Sequence, residues 1–493
     1  MARYARTHGP FTATDVARRY ATGEAPLLAA LAELRVDGRV LEGEFRPGGQ
    51  GREWCSSDVL GTLRRRSLAA LRKEVEPAEP EALARFLLDW QGVAVSPSTR
   101  RGPDALLDVV EQLQGASLPA STLEKDVLPA RIPGYAPEDL DTLCAAGEVV
   151  WIGLGPLGDR DGRVALFLAD DLPLLLPPRP EPPPGETHDR IRDHLSRHGA
   201  SFFGEILDAA GGGLARPVLD ALWDLAWAGE VTNDTPGALR AFLSAHAVRS
   251  ERRPRVSPFR SRRQVPPSAV GRWSRVPAPR RAPSATEKTK ALAEQLLKRH
   301  GVLTRDAVAF EEVPGGFSAV YPVLKALEEA GRIRRGYFVR GLGGLQFADP
   351  GALDRLRARR ERDPEAPLAT VLAAADPANP YGAALAWPRT GEARLARAAG
   401  PHVVLVDGAV AAVVARGGRE VTPLLPGEEP LRSQVAAAAA QALRRWCEAT
   451  GRAALGWAVG EGPALAESPL APHLVEAGFV RSGPGFALRG TPA

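Results

Sequence analysis

The sequence predicts an α+β protein: a helix–strand–helix–turn–helix–hairpin unit recurs along the chain, followed by a small β-barrel-like module. Three observations predict it. A His-Gly pair at His8, His198 and His300 is followed some thirty residues later by Gly-x-Val or Gly-x-Ile, at Gly38, Gly229 and Gly331. Those glycines, with Gly147 of a weaker copy around 105–150, stand where a helix ends in a left-handed residue. After about residue 360 the pattern changes to apolar runs joined by Asp407-Gly408, a two-residue hairpin signal.

In order along the chain, the first copy gives a hairpin from VLEGEF and REWC around RPGGQG. The second gives EVVWI and RVALFL around GLGPLGDRDG, and the fourth YFV and LQFA around RGLGG. The third copy reads without a hairpin, because a helical pattern, ALRAFL, follows EVTND. Three helices with a terminal hairpin make a winged helix. The predicted boundaries are 1–60 for the first winged helix, 61–171 for a helical connector and the second, 187–248 for a third with a reduced wing, 249–283 for an Arg/Pro-rich linker holding the strand GRWS, 284–360 for the fourth, and 364–493 for the β-barrel-like module. Between the second and third, LPLLLPPRPEPPPGE reads as an extended spacer.

Composition narrows the function classes. The chain has 493 residues, 44% hydrophobic and 25% charged, which suits several compact globular units and excludes wholesale disorder. Three widely spaced cysteines, with no Cys-x-x-Cys, argue against a disulfide scaffold or a thiolate zinc site and fit a reducing cytoplasm. The N-terminal twenty residues lack an apolar core of signal-peptide type, and no apolar run approaches the ~20 residues of a membrane span. No P-loop, Gly-x-Ser-x-Gly or His-Glu-x-x-His motif occurs, so neither an ATP engine nor a metal or other cofactor is expected. The recurring histidines, at helix ends, read as C-terminal caps.

The run from Leu296 to Arg357, LLKRHGVLTRDAVAFEEVPGGFSAVYPVLKALEEAGRIRRGYFVRGLGGLQFADPGALDRLR, resembles the C-terminal region of bacterial large helicase-related proteins (Lhr). So do GREWCSSDVLGTLRRRSLAALRKEVEP at 51–77, FLLDWQGV at 86–93, VVEQLQG at 109–115, GRWSRV at 271–276 and DPANPYGAALAWP at 376–388. The resemblance implies tandem winged helices with a β-barrel module, related to winged-helix DNA glycosylases of the AlkZ type. The helicase core with its ATP motifs is missing. A helicase core in cis or in trans is therefore an expected partner.

The fourth winged helix is the expected nucleic-acid reader. In its third helix Ala319, Val320, Val323, Leu324 and Leu327 form the apolar stripe, leaving Ser318, Tyr321 and Lys325 outward. The wing adds Arg332, Arg334, Arg335 and Arg340 around Tyr337, a pattern suited to phosphates and base stacking. The linker, with eleven Arg and one Glu over 249–281, adds Arg262, Arg263 and Arg272, while Trp273 reads as a packing residue. A base-excising enzyme needs a carboxylate, or an amide that positions water. The catalytic candidates are Asp376, which opens DPANPYG, and Gln112 with Gln114, which resemble the paired glutamines of AlkZ-type enzymes. Two glutamines one residue apart can act together only at a helix end. The expected function is DNA engagement in repair, with excision of a damaged or deaminated base left open; the alternative is a homo-oligomeric assembly module with little DNA chemistry.

Overall fold

The computed structural model describes residues 1–46, 51–73, 77–93, 101–178, 181–247, 265–278, 281–362, 367–388, 395–457 and 464–488. The chain divides into two units, Met1–Pro77 with Lys325–Phe338, and Ala78–Leu324 with Val339–Ala493.

The first unit holds a winged helix. Helices Ala2–Thr7, Ala13–Tyr20 and Glu24–Val36 precede the hairpin of Val40–Gly43 and Glu53–Ser56, and Phe11–Thr12 adds a strand to its far side, pairing Phe11 with Trp54. Thr12 and Asp15 form a reciprocal capping box that starts the second helix. Ala5, Phe11, Val16, Leu31, Val40 and Trp54 make the core.

Two winged helices of the second unit share the sheet order first–third–second. In the second winged helix Leu118–Pro119, Gly162–Leu168 and Val149–Pro156 follow helix Gly102–Leu113, and in the third Ser201–Phe202, Arg272–Arg275 and Val231–Asn233 follow helix Glu186–His198. The third wing is therefore not reduced. Its last strand is the GRWS segment, which reads in sequence as part of a linker and returns to pair Ser201 with Trp273 and Val231 with Arg275. Helix Gly237–Ala247 is an insertion inside the hairpin, which is why the local pattern hid it.

These two modules share one hydrophobic core. Trp151, Trp223 and Trp273 meet there, with ring centroids 5.3 Å apart for Trp223 and Trp273 and 6.2 Å for Trp151 and Trp223. The proline-rich stretch departs from a spacer as well. Leu172–Leu175 is a short helix whose Leu172 is buried with Ile152, Phe167 and Val276. Apolar residues between the prolines let it pack rather than extend.

Helices Ala285–His300 and Arg305–Phe310 and the pair Val302–Leu303 with Gln346–Ala348 belong to the fourth winged helix. Helix Gly316–Glu329 begins in this unit. The Gln346 side chain bonds the Val339 N–H and C=O at 2.9 Å each, closing the intervening loop.

The last module is α+β, and its barrel-like reading is not confirmed: among the described residues no closed barrel is found. Ala369–Ala373, His402–Val406, Ala409–Val414 and Val421–Pro423 form an open antiparallel sheet in sequence order, and Ala454–Leu455, Gly485–Leu488 and Phe479–Ser482 form a second. Helix Leu431–Thr450 buries Ala436, Ala439, Ala440 and Leu443 in the same core as sheet residues Val404, Ala412 and Val414. Small side chains let the helix lie close on the sheet, so the sheet buries a face without curling shut. Asp407-Gly408 makes the expected tight turn with φ values of 49° and 87°.

Candidate nucleic-acid interface and cleft

A cleft of about 860 Å3 opens in the second unit. One wall is the second winged helix, with Gln114, Gly115, Ser117, Leu154 and Arg163; the proline stretch Pro173–Pro178 forms another. Opposite stand Lys288, Leu292, Gln295 and Arg299 of helix Ala285–His300 and the turn Glu311–Pro314. The lining is mostly apolar, and the volume falls within the range of small-molecule pockets. Arg163 and Lys288 are exposed and have no side-chain partner among the described residues, whereas Lys290 and Lys298 pair with Glu294 and Glu111.

The glutamine motif reaches this cleft. Helix Gly102–Leu113 ends between the two glutamines, and Gln114 has left helical geometry at φ −44°, ψ 129°. The helix end required for joint action is therefore present, but the two side chains are held apart. Gln112 Nε2 donates to the Trp90 carbonyl at 3.0 Å. Gln114 is buried; its Oε1 accepts from the Leu168 N–H at 3.0 Å and its Nε2 donates to Asp171 Oδ2 at 2.9 Å.

Sequence reasoning missed the group behind Gln114. Arg299, buried, donates to the Gln114 carbonyl and to Glu311 Oε2, the latter at 2.5 Å. His300 Nε2 meets the other oxygen of Glu311 at 2.7 Å. Burial alone would raise the Glu311 carboxyl; the neighbouring Arg299 and His300 outweigh it and hold the carboxyl down to about 2. The helix-end histidines thus differ: His8 Nδ1 faces the Tyr4 carbonyl at 3.0 Å as a cap should, while His300 faces a carboxylate. The only sequence signal was the adjacent pair Glu311-Glu312.

Asp376 lies elsewhere. It is fully buried, grips Arg131 through both oxygens at 2.8 and 2.9 Å, and accepts the Ala378 N–H at 2.7 Å. Gln91 Oε1 accepts a further Arg131 donor at 2.5 Å. This saturated geometry suits a structural staple for DPANPYG, the ordinary role of Asp before Pro in a turn.

The expected DNA-binding residues divide. Ser318 and Lys325 are exposed, and Lys325 makes only a 3.8 Å pair with Glu329. Tyr321 does not stand outward with Lys325: it is half-buried, edge-on to Phe347 at 6.1 Å and 6.0 Å from Phe317, because an aromatic ring gains more from that apolar neighbour than from water. In the wing Tyr337 is exposed, Arg332 is exposed, Arg334 is half-buried, and Arg335 lies 3.6 Å from Glu328. Arg340 pairs with Glu79 at 2.7 Å. Arg272 is no linker cation: its guanidinium and N–H both bind Asp234, at 2.7 and 2.8 Å. Arg262 and Arg263 lie outside the described residues. Trp273 is buried, as the packing reading expects. Among the described residues no cluster of three His, Cys, Asp or Glu could hold a metal ion.

Fold and cleft define a tandem winged-helix protein, and comparison with known proteins agrees. Residues 78–169 and 282–368 match winged-helix domains of the large helicase-related protein, so the chain carries winged-helix domains of that family. It is 47% identical over 438 residues to the Lhr helicase/probable uracil glycosylase of Mycolicibacterium smegmatis, covering 85% of this chain and 29% of the relative. It is 35% identical over 487 residues to the Lhr helicase/uracil glycosylase of Escherichia coli, covering 90% of this chain and 30% of the relative. The chain thus spans less than a third of these relatives' length. A solved structure, the Streptomyces sahachiroi DNA glycosylase AlkZ, aligns with a TM-score of 0.45 at 15% identity, over 76% of this chain and 98% of that one. No described helix is long and apolar enough to cross a membrane.

Proposed function

We propose that this chain engages DNA in repair, working with a helicase core, and releases uracil from single-stranded DNA at the cleft between its second and fourth winged helices. The observation that carries this reading is the cleft itself. Its apolar lining suits a base, unpartnered Arg163 and Lys288 suit flanking phosphates, and the two walls that carry these cations lie in the segments matched to Lhr winged-helix domains. The names of both relatives, which include uracil glycosylase, supply the base and the reaction. Ser318, Lys325, Arg332, Arg334, Arg335, Tyr337 and Arg340 are the proposed backbone contacts of the fourth module. The six segments given above are kept as proposed domains, with one change: the strand Arg272–Arg275 is assigned to the third winged helix and not to the linker.

The test is incubation of the protein with an oligonucleotide carrying one uracil, followed by alkali. Strand breakage is expected, faster on single strands than on duplex, because the few kcal/mol of unpairing is then avoided. Binding without breakage would overturn the excision reading and leave DNA engagement standing.

A further inference from the structure

We infer that Glu312 is the carboxylate that acts on the substrate in this cleft, an inference that rests on the base-excision reading above. The candidate acids differ in what they are free to do. Glu311 has both oxygens engaged, by Arg299 and His300. Asp171 holds Gln114, and Asp376 is saturated by Arg131 and the Ala378 N–H. Glu312 lines the cleft, is exposed, and its side chain makes no hydrogen bond or ion pair with any described residue.

Its backbone supplies a second, independent argument. Helix Arg305–Phe310 ends at Glu311, and Glu312 then adopts the left-handed conformation, with φ 51° and its N–H on the Ala309 carbonyl at 3.1 Å. That position favours glycine, because a Cβ crowds the following carbonyl. The chain uses glycine three and four residues later, at Gly315 and Gly316, yet carries a glutamate here. Among the described residues two other non-glycine residues have positive φ: Asp407 in its Asp-Gly hairpin, and Ala21, which closes a helix of the first unit as Glu312 follows one here. Glu312 carries an unpartnered charged side chain at a conformational cost, in the wall of this cleft. Strain of this kind collects at functional sites.

The Arg299–His300 pair also has a place in this account. By neutralising Glu311 it removes a second bare carboxylate from beside Glu312. In the reaction the C1′–N1 bond breaks and its electron pair leaves on uracil, which takes a proton from solvent. The carbohydrate passes through an oxocarbenium-like state that the Glu312 carboxylate stabilises. Water adds at C1′, and its proton passes to Glu312 and on to bulk, so the net change is addition of one water.

The experiment uses the full chain, with Glu312→Gly and Glu312→Gln, on a single-stranded oligonucleotide containing one uracil. Melting temperature and oligonucleotide binding are measured alongside alkali-labile product. Glycine relieves the left-handed strain, so Glu312→Gly should melt at or above the wild-type temperature while uracil release falls at least a hundredfold. Glu312→Gln keeps the size and the strain; it should bind within twofold of wild type and be equally slow. A merely structural glutamate would give an equally stable glycine variant that keeps wild-type uracil release. Activity within threefold of wild type in both variants overturns the inference and leaves the excision reading intact. An inactive wild type that still binds overturns the excision reading, and this inference falls with it.

Discussion

The third helices of the third and fourth winged helices occupy equivalent places in the repeat and do opposite things. In the third, helix Ala215–Trp227 buries Val218, Ala221, Leu222, Trp223, Leu225, Ala226 and Trp227. It is pressed so closely onto the second module that a Cβ on Gly153 would lie 2.2 Å from the Ala226 carbonyl, and one on Gly162 would lie 2.3 Å from the Trp227 ring. In the fourth, helix Gly316–Glu329 buries Val320 and Leu324 on one side and exposes Ser318 and Lys325 on the other. The lesson is that a winged helix fixes where a helix sits, while the width of its apolar stripe decides whether it reads a groove or cements a neighbour. Trp223 and Trp227 widen the stripe of the third module's helix and make it an internal wall.

The largest effect should come from breaking that wall. Trp223→Ala removes the ring at the centre of the shared core and should cost about 3–5 kcal/mol, measured by denaturant unfolding. Lys325→Ala, at the corresponding face of the fourth module, should leave stability within about 0.5 kcal/mol. Equal costs would dissolve the comparison.

Acid should act next, on the fourth module's cleft-facing turn. The folded carboxyl of Glu311 is depressed from 4.5 to about 2, so it contributes stability that is full above the unfolded value and lost as pH falls through that window. Glu311→Gln should remove that part of the acid dependence, read as melting temperature against pH. An unchanged profile would show that the Arg299–His300 cluster carries no linkage.

A smaller effect is expected on binding. Arg334→Glu with Arg335→Glu should weaken single-stranded DNA binding roughly tenfold and lower the log–log salt slope by about 1.4, or 0.7 for each lost phosphate contact. Unchanged affinity would remove the wing from the interface. The smallest effect belongs to the third module's Arg272. Its pair with Asp234 is half-exposed, so Arg272→Ala should cost under about 1 kcal/mol and leave DNA affinity unaltered. A loss of binding there would restore the linker reading that its position in the sheet argues against.

Much of this protein is legible in its sequence because the deciding forces are local. Helix ends at Gly147 and the turn at Asp407-Gly408 follow from which residues tolerate positive φ. The Ser284–Glu287 capping box follows from four adjacent residues. The repeat, and with it the winged-helix architecture, follows from apolar periodicity and recurs at the same spacing. What the tertiary structure alone decided involves groups far apart in sequence. The wing strand of the third module comes back after an inserted helix to pair Ser201 with Trp273. Arg131 is joined to Asp376 across 245 residues, turning a candidate acid into a staple. The cleft exists only where Gln114 and Arg299, 185 residues apart, meet. A buried charge must find its partner and an apolar face its cover wherever the chain brings them, and no local pattern names that partner in advance.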